Sequence, residues 1–212
     1  MKTIGFIGGG NMAQALLEGI LKAGLFKKDR VWVSDVRSER LDELKAQYGI
    51  QVTSDNTELT AQADIIVLSV KPQVMAVVLD GITGTLKNGV LIISIAAGIT
   101  TASIRAKLGD VQIIRVMPNT PALVGAGASG LYNAGASDDG LKIALNICSS
   151  VGKAIVVENE DLIDTVNEGD RITVDNGLIN LLVLEKQRAH MRCRVIDGGL
   201  LLLLPLLLQL AY

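Results

Sequence analysis

The chain has 212 residues, a net charge of −2 and two cysteines. This slightly acidic balance provides no broad basic field, which excludes a nucleic-acid backbone and an anionic membrane as main partners. Two cysteines are too few for a disulfide framework, and His190 with Cys193 is too little for zinc, so no metal is expected.

The composition predicts an α/β protein. Hydrophobic residues make up 49% of the chain and aromatic residues 3%, and there are 22 glycines. This mixture is typical of sheets built from Val, Ile and Ala and covered by helices. Residues 1–10 contain one Lys and then a glycine cluster, where a secretory peptide needs an unbroken apolar stretch. We therefore expect a cytoplasmic protein.

The first predicted elements are a strand, a tight turn and a helix. An apolar run at Thr3–Ile7 ends at three glycines, and helical spacing of apolar residues then extends over Asn11–Ala23. A second strand is predicted at Val31–Ser34, and Ser38 begins a second helix. Together these segments form a complete βαβ unit.

Four further apolar runs alternate with helical or loop segments. This alternation favours a mainly parallel sheet with right-handed crossovers. The predicted strands are Ile65–Val70, Val90–Ile95, Gln112–Met117 and Ala154–Val157. The predicted helices are Gln73–Ile82, Thr101–Leu108 and Ser137–Val151, and a Lys-Pro pair that suits a helix start precedes the first of them.

The sequence changes character after Val166. A turn-like cluster is followed by a mixed stretch and a leucine tract that Pro205 interrupts. We therefore divide the chain into a domain over residues 1–165 and an atypical tail over residues 166–212. The apolar stretch Gly198–Leu210 is shorter than the roughly 20 residues that span a bilayer. The tail either packs on the domain or a partner chain, forms a poorly ordered, non-native end, or associates with a membrane surface; spanning is not expected.

Gly8, Gly10 and Ala13 form the pattern G-x-G-x-x-A between the first strand and the first helix. Glycine at the first two positions permits a tight turn and lets backbone N–H groups approach a pyrophosphate. The phosphates would lie at the N-terminus of the helix, where unpaired N–H groups and the helix dipole favour negative charge. The pattern indicates a dinucleotide-binding domain of Rossmann type, and a tight turn without a ligand is the alternative.

The end of the second predicted strand influences which dinucleotide is preferred. An acidic side chain there accepts hydrogen bonds from the ribose hydroxyls, whereas Arg or Ser accommodates a 2′-phosphate. This chain offers both kinds, because Asp35 lies beside Ser34 and near Arg37. We expect NADP to be the preferred cofactor and NAD to be the alternative. Arg37 either pairs with the 2′-phosphate or is an exposed surface residue without contact to the cofactor.

Four motifs give the chain a specific resemblance to a known family. They are IGFIGGGNMA at 4–13, Val70-Lys71-Pro72, SIAAG at 94–98 and RVMPNTP at 115–121. With these motifs, the chain resembles pyrroline-5-carboxylate reductase from Met1 to about Val166. The family reduces the C=N bond of 1-pyrroline-5-carboxylate with NAD(P)H and forms L-proline in the last step of proline biosynthesis. The resemblance therefore implies an oxidoreductase with a small-molecule imine substrate and a homo-oligomeric state.

The resemblance also implies which residues contact the cofactor. Several of them follow the carboxyl ends of predicted strands, where an open parallel sheet binds ligands. With Arg37 added from the residues themselves, the expected contacts are Gly8, Gly9, Gly10, Asn11, Met12, Ala13, Ser34, Arg37, Asn56, Ser69, Val70, Lys71, Pro72, Ala96, Ala97 and Gly98. A helix N-cap is the alternative role for Asn56. For Lys71, a surface or phosphate-facing position is favoured over proton donation.

Two prolines surround a polar pair, Asn119 and Thr120, after a predicted buried strand. Such a rigid turn would hold an amide and a hydroxyl close to the nicotinamide and the substrate. The alternative is that the segment is only a stiff connection between two elements, with no role in binding. The reaction needs no nucleophile or metal, because the cofactor supplies hydride while the protein supplies orientation and a dry pocket. No catalytic residue is assigned.

The chain departs from the family after Val166. There the family continues into a Ser-Gly-Ser-Gly-Pro-Ala-Tyr-like stretch and a long helical domain that forms an interlocked dimer and holds the substrate carboxylate; neither feature occurs in residues 166–212. Three functions stay open. They are reduction of pyrroline-5-carboxylate, dinucleotide binding without catalysis because the substrate and dimer domain is missing, and reduction of another imine or carbonyl by a β-hydroxyacid-type enzyme.

Overall fold

The computed structural model describes residues 2–160 and, beyond them, only the backbone of strands at 171–174, 179–186 and 191–198. The chain divides into two units, Met1–Ile163 and Asp164–Tyr212. The boundary predicted between residues 165 and 166 lies outside the described residues, as does the leucine tract, so both stay predictions.

The first unit is built on an eight-stranded sheet. Strands β1 to β6 are parallel to one another, β7 is antiparallel to β6, and β8 is parallel to β7. The order across the sheet is β3-β2-β1-β4-β5-β6-β7-β8. The strands are β1 (Ile4–Ile7), β2 (Val31–Ser34), β3 (Gln51–Thr53), β4 (Ile65–Leu68), β5 (Leu91–Ser94), β6 (Gln112–Pro118), β7 (Gly127–Asn133) and β8 (Gly152–Val157). This arrangement confirms the predicted α/β class and the Rossmann-type, mainly parallel sheet.

Helices cover both faces of this sheet and form two separate cores. Helices α1, α2 and α6 contribute to one core, and α3, α4 and α5 contribute to the other. They span α1 (Asn11–Lys22), α2 (Ser38–Tyr48), α3 (Asn56–Gln62), α4 (Pro72–Ile82), α5 (Thr101–Leu108) and α6 (Asp138–Ser149), and short 3₁₀ helices lie at Lys28–Arg30 and Thr120–Val124. In the part of the chain that the structure describes, no helix is long and apolar enough to cross a membrane.

Strand β4 shows why the central strands are uninterrupted runs of apolar residues. Ile65 and Val67 face one core, whereas Ile66 and Leu68 face the other. Because side chains alternate between the two faces of a strand, a strand covered on both faces needs apolar residues at every position. All four residues of β4 are buried.

The predicted elements are confirmed to within two residues at their ends. The sequence predicts neither β3 nor β7, and it indicates α3 only through the alternative helix N-cap role of Asn56. Strand β7 has the sequence GASGLYN, in which small residues replace the β-branched residues that mark a strand. It is held by pairing with β6 on one side and β8 on the other. Tertiary pairing, not local propensity, therefore defines this strand.

The second unit contains a three-stranded antiparallel sheet in the order β11-β10-β9. Its strands are β9 (Arg171–Val174), β10 (Ile179–Lys186) and β11 (Met191–Gly198). The mixed sequence of this region does not predict strands.

Two helical glycines provide a matched test of the packing. A Cβ on Gly19 of α1 would lie 2.5 Å from both Ser150 Oγ and Val151 Cγ1, whereas a Cβ on Gly81 of α4 would have no atom of the described part of the chain within 4 Å. We expect Gly19→Ala to lower the free energy of unfolding by about 1–2 kcal/mol through overpacking. The control, Gly81→Ala, should raise it by up to about 1 kcal/mol through helix propensity. Urea unfolding measures both changes, and a stabilised Gly19→Ala protein would contradict the α1–α6 packing.

Candidate functional site

The carboxyl ends of the parallel strands meet at one edge of the sheet. Gly8 follows β1, Asp35 follows β2, Ser69 follows β4, and Ile95 follows β5. The strand order reverses between β1 and β4, because the chain builds outward from β1 in both directions. Such a reversal leaves a crevice where open α/β sheets bind ligands.

Gly8 is held between the ends of two neighbouring strands. Its N–H donates to the Ser34 carbonyl oxygen at 2.8 Å, and Ser69 Oγ donates to the Gly8 carbonyl oxygen at 2.8 Å. Its φ of 99° lies in the region that favours glycine. A Cβ at this position would also lie 2.9 Å from the Ser69 carbonyl oxygen. Glycine is therefore required here by the fold itself.

The Gly9 peptide is held by two charged side chains. Its N–H donates to Asp35 Oδ2 at 2.8 Å, and its carbonyl oxygen accepts from Arg40 Nε at 2.7 Å. Arg40 in turn donates to Gln14 and Glu43. The glycine loop therefore has a defined conformation that depends on the protein alone.

Gly10 differs from its two neighbours because the residues that the structure describes give no steric reason for glycine there. A Cβ on Gly10 would meet none of their atoms within 4 Å, so the space above it is open with respect to them. Gly10 is the N-cap of α1 without a side-chain cap, and the first turn carries no acidic residue. The first N–H groups of a helix lack partners within the helix, and with the dipole they favour an anion. The start of α1 therefore fits a diphosphate.

The other predicted residues of this loop lie along the first turn of α1. Asn11 is exposed, Met12 is partly buried, and Ala13 is buried at 3% exposure in the core. Because Ala13 packs inward, a larger residue would separate α1 from the sheet. Direct ligand contact by the side chains of Met12 and Ala13 stays a prediction.

Ser34 and Asn56 form a hydrogen-bonded pair at the end of β2. Ser34 Oγ donates to Asn56 Oδ1 at 2.7 Å, and Ser34 is only 1% exposed. The alternative role of Asn56 as a helix cap is wrong, because Asp55 is the N-cap of α3 and accepts from the Thr57 N–H. Hydrogen bonds from Thr57 lower the pKa of Asp55, which keeps this cap ionised.

Small or exposed residues follow β4 and β5, as predicted. Lys71 is exposed, and Pro72 is the first residue of α4, which confirms the Lys-Pro helix start. Ala96 is buried, whereas Ala97 and Gly98 are exposed. Their small side chains leave room beside the strand ends. Cofactor contact by these residues, and by Ser69 and Val70, stays a prediction.

Asn119 has a structural partner that the sequence did not reveal. Its Oδ1 accepts from the Ala128 N–H at 2.8 Å and so connects the end of β6 to β7. The following residues, Thr120–Val124, form a 3₁₀ helix that contains Pro121, and Thr120 is exposed. The turn is therefore stiff, and the proximity of Asn119 and Thr120 to a nicotinamide stays a prediction.

The sequence does not predict a buried ionic network between the middle of β6 and the start of α5. Arg115 is 1% exposed, and its Nη1 donates to Glu160 Oε1 at 3.2 Å. Glu160 also accepts from the Thr101 N–H at 2.7 Å and from Thr101 Oγ1 at 2.9 Å. The signal in the sequence is an arginine within the apolar run of β6. Its partner could not be found, because Glu160 lies 45 residues further along the chain.

Neither a reactive thiol nor a metal cluster is found in the described part of the chain. Cys148 is buried, and burial raises the pKa of its thiol to about 12 although Ser129 lowers it by hydrogen bonding. Among residues whose side chains the structure describes, no group of three or more His, Cys, Asp or Glu could hold a metal ion. Cys193 and His190 lie outside those residues.

A second concavity of about 430 Å³ lies far from the strand ends described above. It is lined by Lys2, Asp64, Lys87, Asn88, Gly89 and Val90. Lys87 donates to Asp64 Oδ1 at 3.1 Å and to the Gln62 carbonyl oxygen at 2.7 Å. Because Asp64 precedes β4 and Val90 precedes β5, this opening is at the amino ends of the strands, opposite the edge where such sheets bind ligands.

The sheet order and the glycine loop together define a Rossmann-type domain of the kind that binds dinucleotides. Residues 3–98 match the family described as NADP oxidoreductase, coenzyme F420-dependent. The chain is also 41% identical over 167 residues to pyrroline-5-carboxylate reductase of Methanosarcina acetivorans. The aligned residues cover 78% of this chain and 62% of that protein.

Two solved structures extend this similarity. Pyrroline-5-carboxylate reductase of Coxiella burnetii superposes with a TM-score of 0.74 at 38% identity, covering 76% of this chain and 61% of that one. The pyrroline carboxylate reductase of Plasmodium falciparum, with NADP bound, superposes with a TM-score of 0.67 at 30% identity. This match covers 76% of this chain and 59% of that one. The resemblance to pyrroline-5-carboxylate reductase is thereby confirmed, and the chain spans about three fifths of the length of these relatives.

Stability measurements can separate the reasons for which glycine occupies positions 8 and 10. Gly8→Ala would combine a positive φ with close contact to Ser69, so we expect the free energy of unfolding to fall by about 2–4 kcal/mol. Gly10→Ala enters open space and should change it by less than about 1 kcal/mol. Urea unfolding without ligand measures both values. Equal losses in the two variants would contradict the assignment of the open space to Gly10.

Asp35 is expected to make stability depend on pH. Burial acts to raise its pKa, but hydrogen bonds from Arg37 and the Gly9 N–H outweigh burial and lower it from 3.8 to about 2. The stabilising contribution is therefore complete above about pH 4 and is lost as the pH falls towards 2.

Asp35→Asn should therefore reduce the free energy of unfolding by roughly 1–2 kcal/mol near pH 6, allowing for solvent screening at the exposed Arg37. The difference from the wild-type protein should shrink between about pH 4 and pH 2. Urea unfolding across this pH range measures it. A difference that stays constant with pH would show that the carboxylate charge is not what stabilises the loop.

Proposed function

We propose that this chain provides the NAD(P)H-binding part of a reductase that converts 1-pyrroline-5-carboxylate to L-proline. The observation that carries the proposal is the open, uncapped start of α1 beside a glycine loop held by β2 and β4. The similarity to pyrroline-5-carboxylate reductases supports this reaction for the dinucleotide site.

The diphosphate would be held by backbone N–H groups at the start of α1. The donors are those of Gly10, Asn11 and Met12, because the N–H groups of Gly8 and Gly9 already donate to Ser34 and Asp35. Negative charge at this position is favoured by the helix dipole and meets no acidic residue in the first turn. This division of the amide groups supports a diphosphate site of defined position.

We favour NADP over NAD because of the residues after β2. The side chain of Arg37 is 58% exposed and therefore accessible to an adenosine 2′-phosphate. Ser34 and Asn56 lie at the same strand end, and their hydrogen bond fixes the Asn56 amide. The Plasmodium falciparum relative binds NADP, which agrees with this preference.

The remaining residues would position the imine and exclude water. When bound, the nicotinamide cofactor supplies hydride for the imine carbon. Ala96, Ala97 and Gly98 leave space at the end of β5, and Asn119 and Thr120 lie after β6, next to β5 in the sheet. No nucleophile is needed, which is compatible with the raised pKa of Cys148.

The second candidate is a dinucleotide-binding protein without catalytic activity. One observation favours it, namely that the matched residues cover about three fifths of the length of these relatives. If the substrate site of such enzymes needs residues outside the matched part, the matched part binds cofactor without turnover. The homo-oligomeric state and the cytoplasmic location stay predictions under either candidate.

The two candidates separate in one experiment. The purified chain is titrated with NADPH by fluorescence, and NADPH oxidation is then followed after addition of 1-pyrroline-5-carboxylate. Binding with turnover supports the reductase, binding without turnover supports the second candidate, and absence of binding would reject both.

The binding site is tested by two leucine substitutions. Gly10→Leu should fold normally but weaken NADPH binding by more than about 100-fold, since its side chain occupies the space above the start of α1. The control, Gly81→Leu, also enters open space on an exposed helix position and should keep the wild-type affinity. Equal affinities of the two variants would place the diphosphate elsewhere.

A further inference from the structure

The Asp35 carboxylate has no free capacity to accept hydrogen bonds. A carboxylate has about four acceptor positions. Oδ1 accepts from the Arg37 backbone N–H at 3.0 Å and from Arg37 Nε at 2.9 Å. Oδ2 accepts from the Gly9 N–H at 2.8 Å and from Arg37 Nη2 at 3.0 Å. The side chain is also only 8% exposed, so ribose hydroxyls have no acceptor to use there.

The polar groups of the Gly9 peptide also have partners within the protein. A Cβ at this position would lie 3.0 Å from Leu44 Cδ1 and 3.3 Å from Val33 Cγ1, so Gly9 packs against α2 and β2. Its N–H and carbonyl oxygen are both bonded to side chains. The hydrogen bond from Gly9 to Asp35 therefore serves to position the loop.

Arg37 is oriented by the same carboxylate. Its Nε and Nη2 form a two-pronged contact with Asp35, which fixes the plane of the guanidinium group. A guanidinium has five N–H donors, and Nη1 takes no part in this contact. The group is therefore held in place while donors still face solvent, because 58% of the side chain is exposed.

We propose that Asp35 is a positioning residue, which holds the diphosphate loop through Gly9 and aims Arg37 at the 2′-phosphate of NADP, and that it is not a ribose acceptor. This inference rests on the proposed function. It links two parts of the cofactor site, since a single carboxylate sets both the loop and the guanidinium. The acidic residue that usually favours NAD at this strand end thus supports a preference for NADP here.

The two roles of Asp35 predict opposite changes in cofactor preference. If Asp35 positions the loop and Arg37, Asp35→Asn weakens NADPH and NADH binding by roughly tenfold through the loop, and NADPH by a further severalfold through Arg37. If Asp35 accepts from ribose, the variant loses affinity for NADH and keeps or gains affinity for NADPH. Dissociation constants for both cofactors, measured by fluorescence titration, distinguish these results.

Arg37→Gln and a double variant test the coupling. Arg37→Gln should weaken NADPH severalfold and leave NADH unchanged. In the Asp35→Asn/Arg37→Gln protein, the NADPH-to-NADH preference should equal that of Arg37→Gln alone, because both changes act on the same guanidinium. The control is Asp42→Asn, an exposed carboxylate on α2, which should leave both constants within about twofold. Additive losses of preference would overturn the coupling.

A measurement without cofactor keeps the inference separate from the proposed function. Asp35→Asn should accelerate hydrogen exchange at the Gly9 N–H and leave the Gly8 N–H, which donates to Ser34, protected. Asp35→Glu serves as a second variant if Asp35→Asn fails to fold, and it should lose the same protection because its carboxylate is displaced. Unchanged Gly9 exchange in the variant that folds overturns the inference. If NADPH fails to bind the wild-type chain, the proposed function fails instead.

Discussion

The hydrogen bond from the Gly9 N–H to the Asp35 carboxylate is the constraint on which the candidate site depends. Gly9 lies between a glycine that the fold requires, Gly8, and one that it does not, Gly10. Once Gly8 is bonded to Ser34 and Gly9 to Asp35, α1 begins with N–H groups that have no partner within the helix. The anion-binding property of the helix start is therefore a consequence of how the preceding peptides are used.

The sheet places these bonds at the point where its strand order reverses. Because β2 and β4 both neighbour β1, their ends supply partners to the loop from opposite sides, Ser34 and Asp35 from β2 and Ser69 from β4. The two cores, one on each face of the sheet, fix the positions of these strands and therefore the spacing of their ends. Packing far from the ligand site thus determines the geometry at the ligand site.

The regular part of this architecture could be predicted from sequence, because buried parallel strands such as β4 are continuous apolar runs and α1 repeats its apolar residues at helical spacing. Strand β7 escaped prediction because GASGLYN becomes a strand only by pairing with β6 and β8. The glycine pattern correctly predicted a tight turn between a strand and a helix. The role of Asp35 could not be predicted, because its partner Gly9 lies 26 residues away in the sequence. Only the hydrogen bonds of the folded chain distinguish a carboxylate that supports the loop from one that accepts from ribose.

Backbone amide chemical shifts recorded with and without NADPH show most clearly whether the diphosphate binds at the start of α1. With the diphosphate there, the largest changes should occur at Gly10, Asn11 and Met12, which begin α1. Smaller changes should occur at Gly8 and Gly9, whose amides already have partners within the protein. If the largest changes instead occur around Lys2, Asp64 and Lys87, at the amino ends of the strands, the diphosphate does not bind at α1.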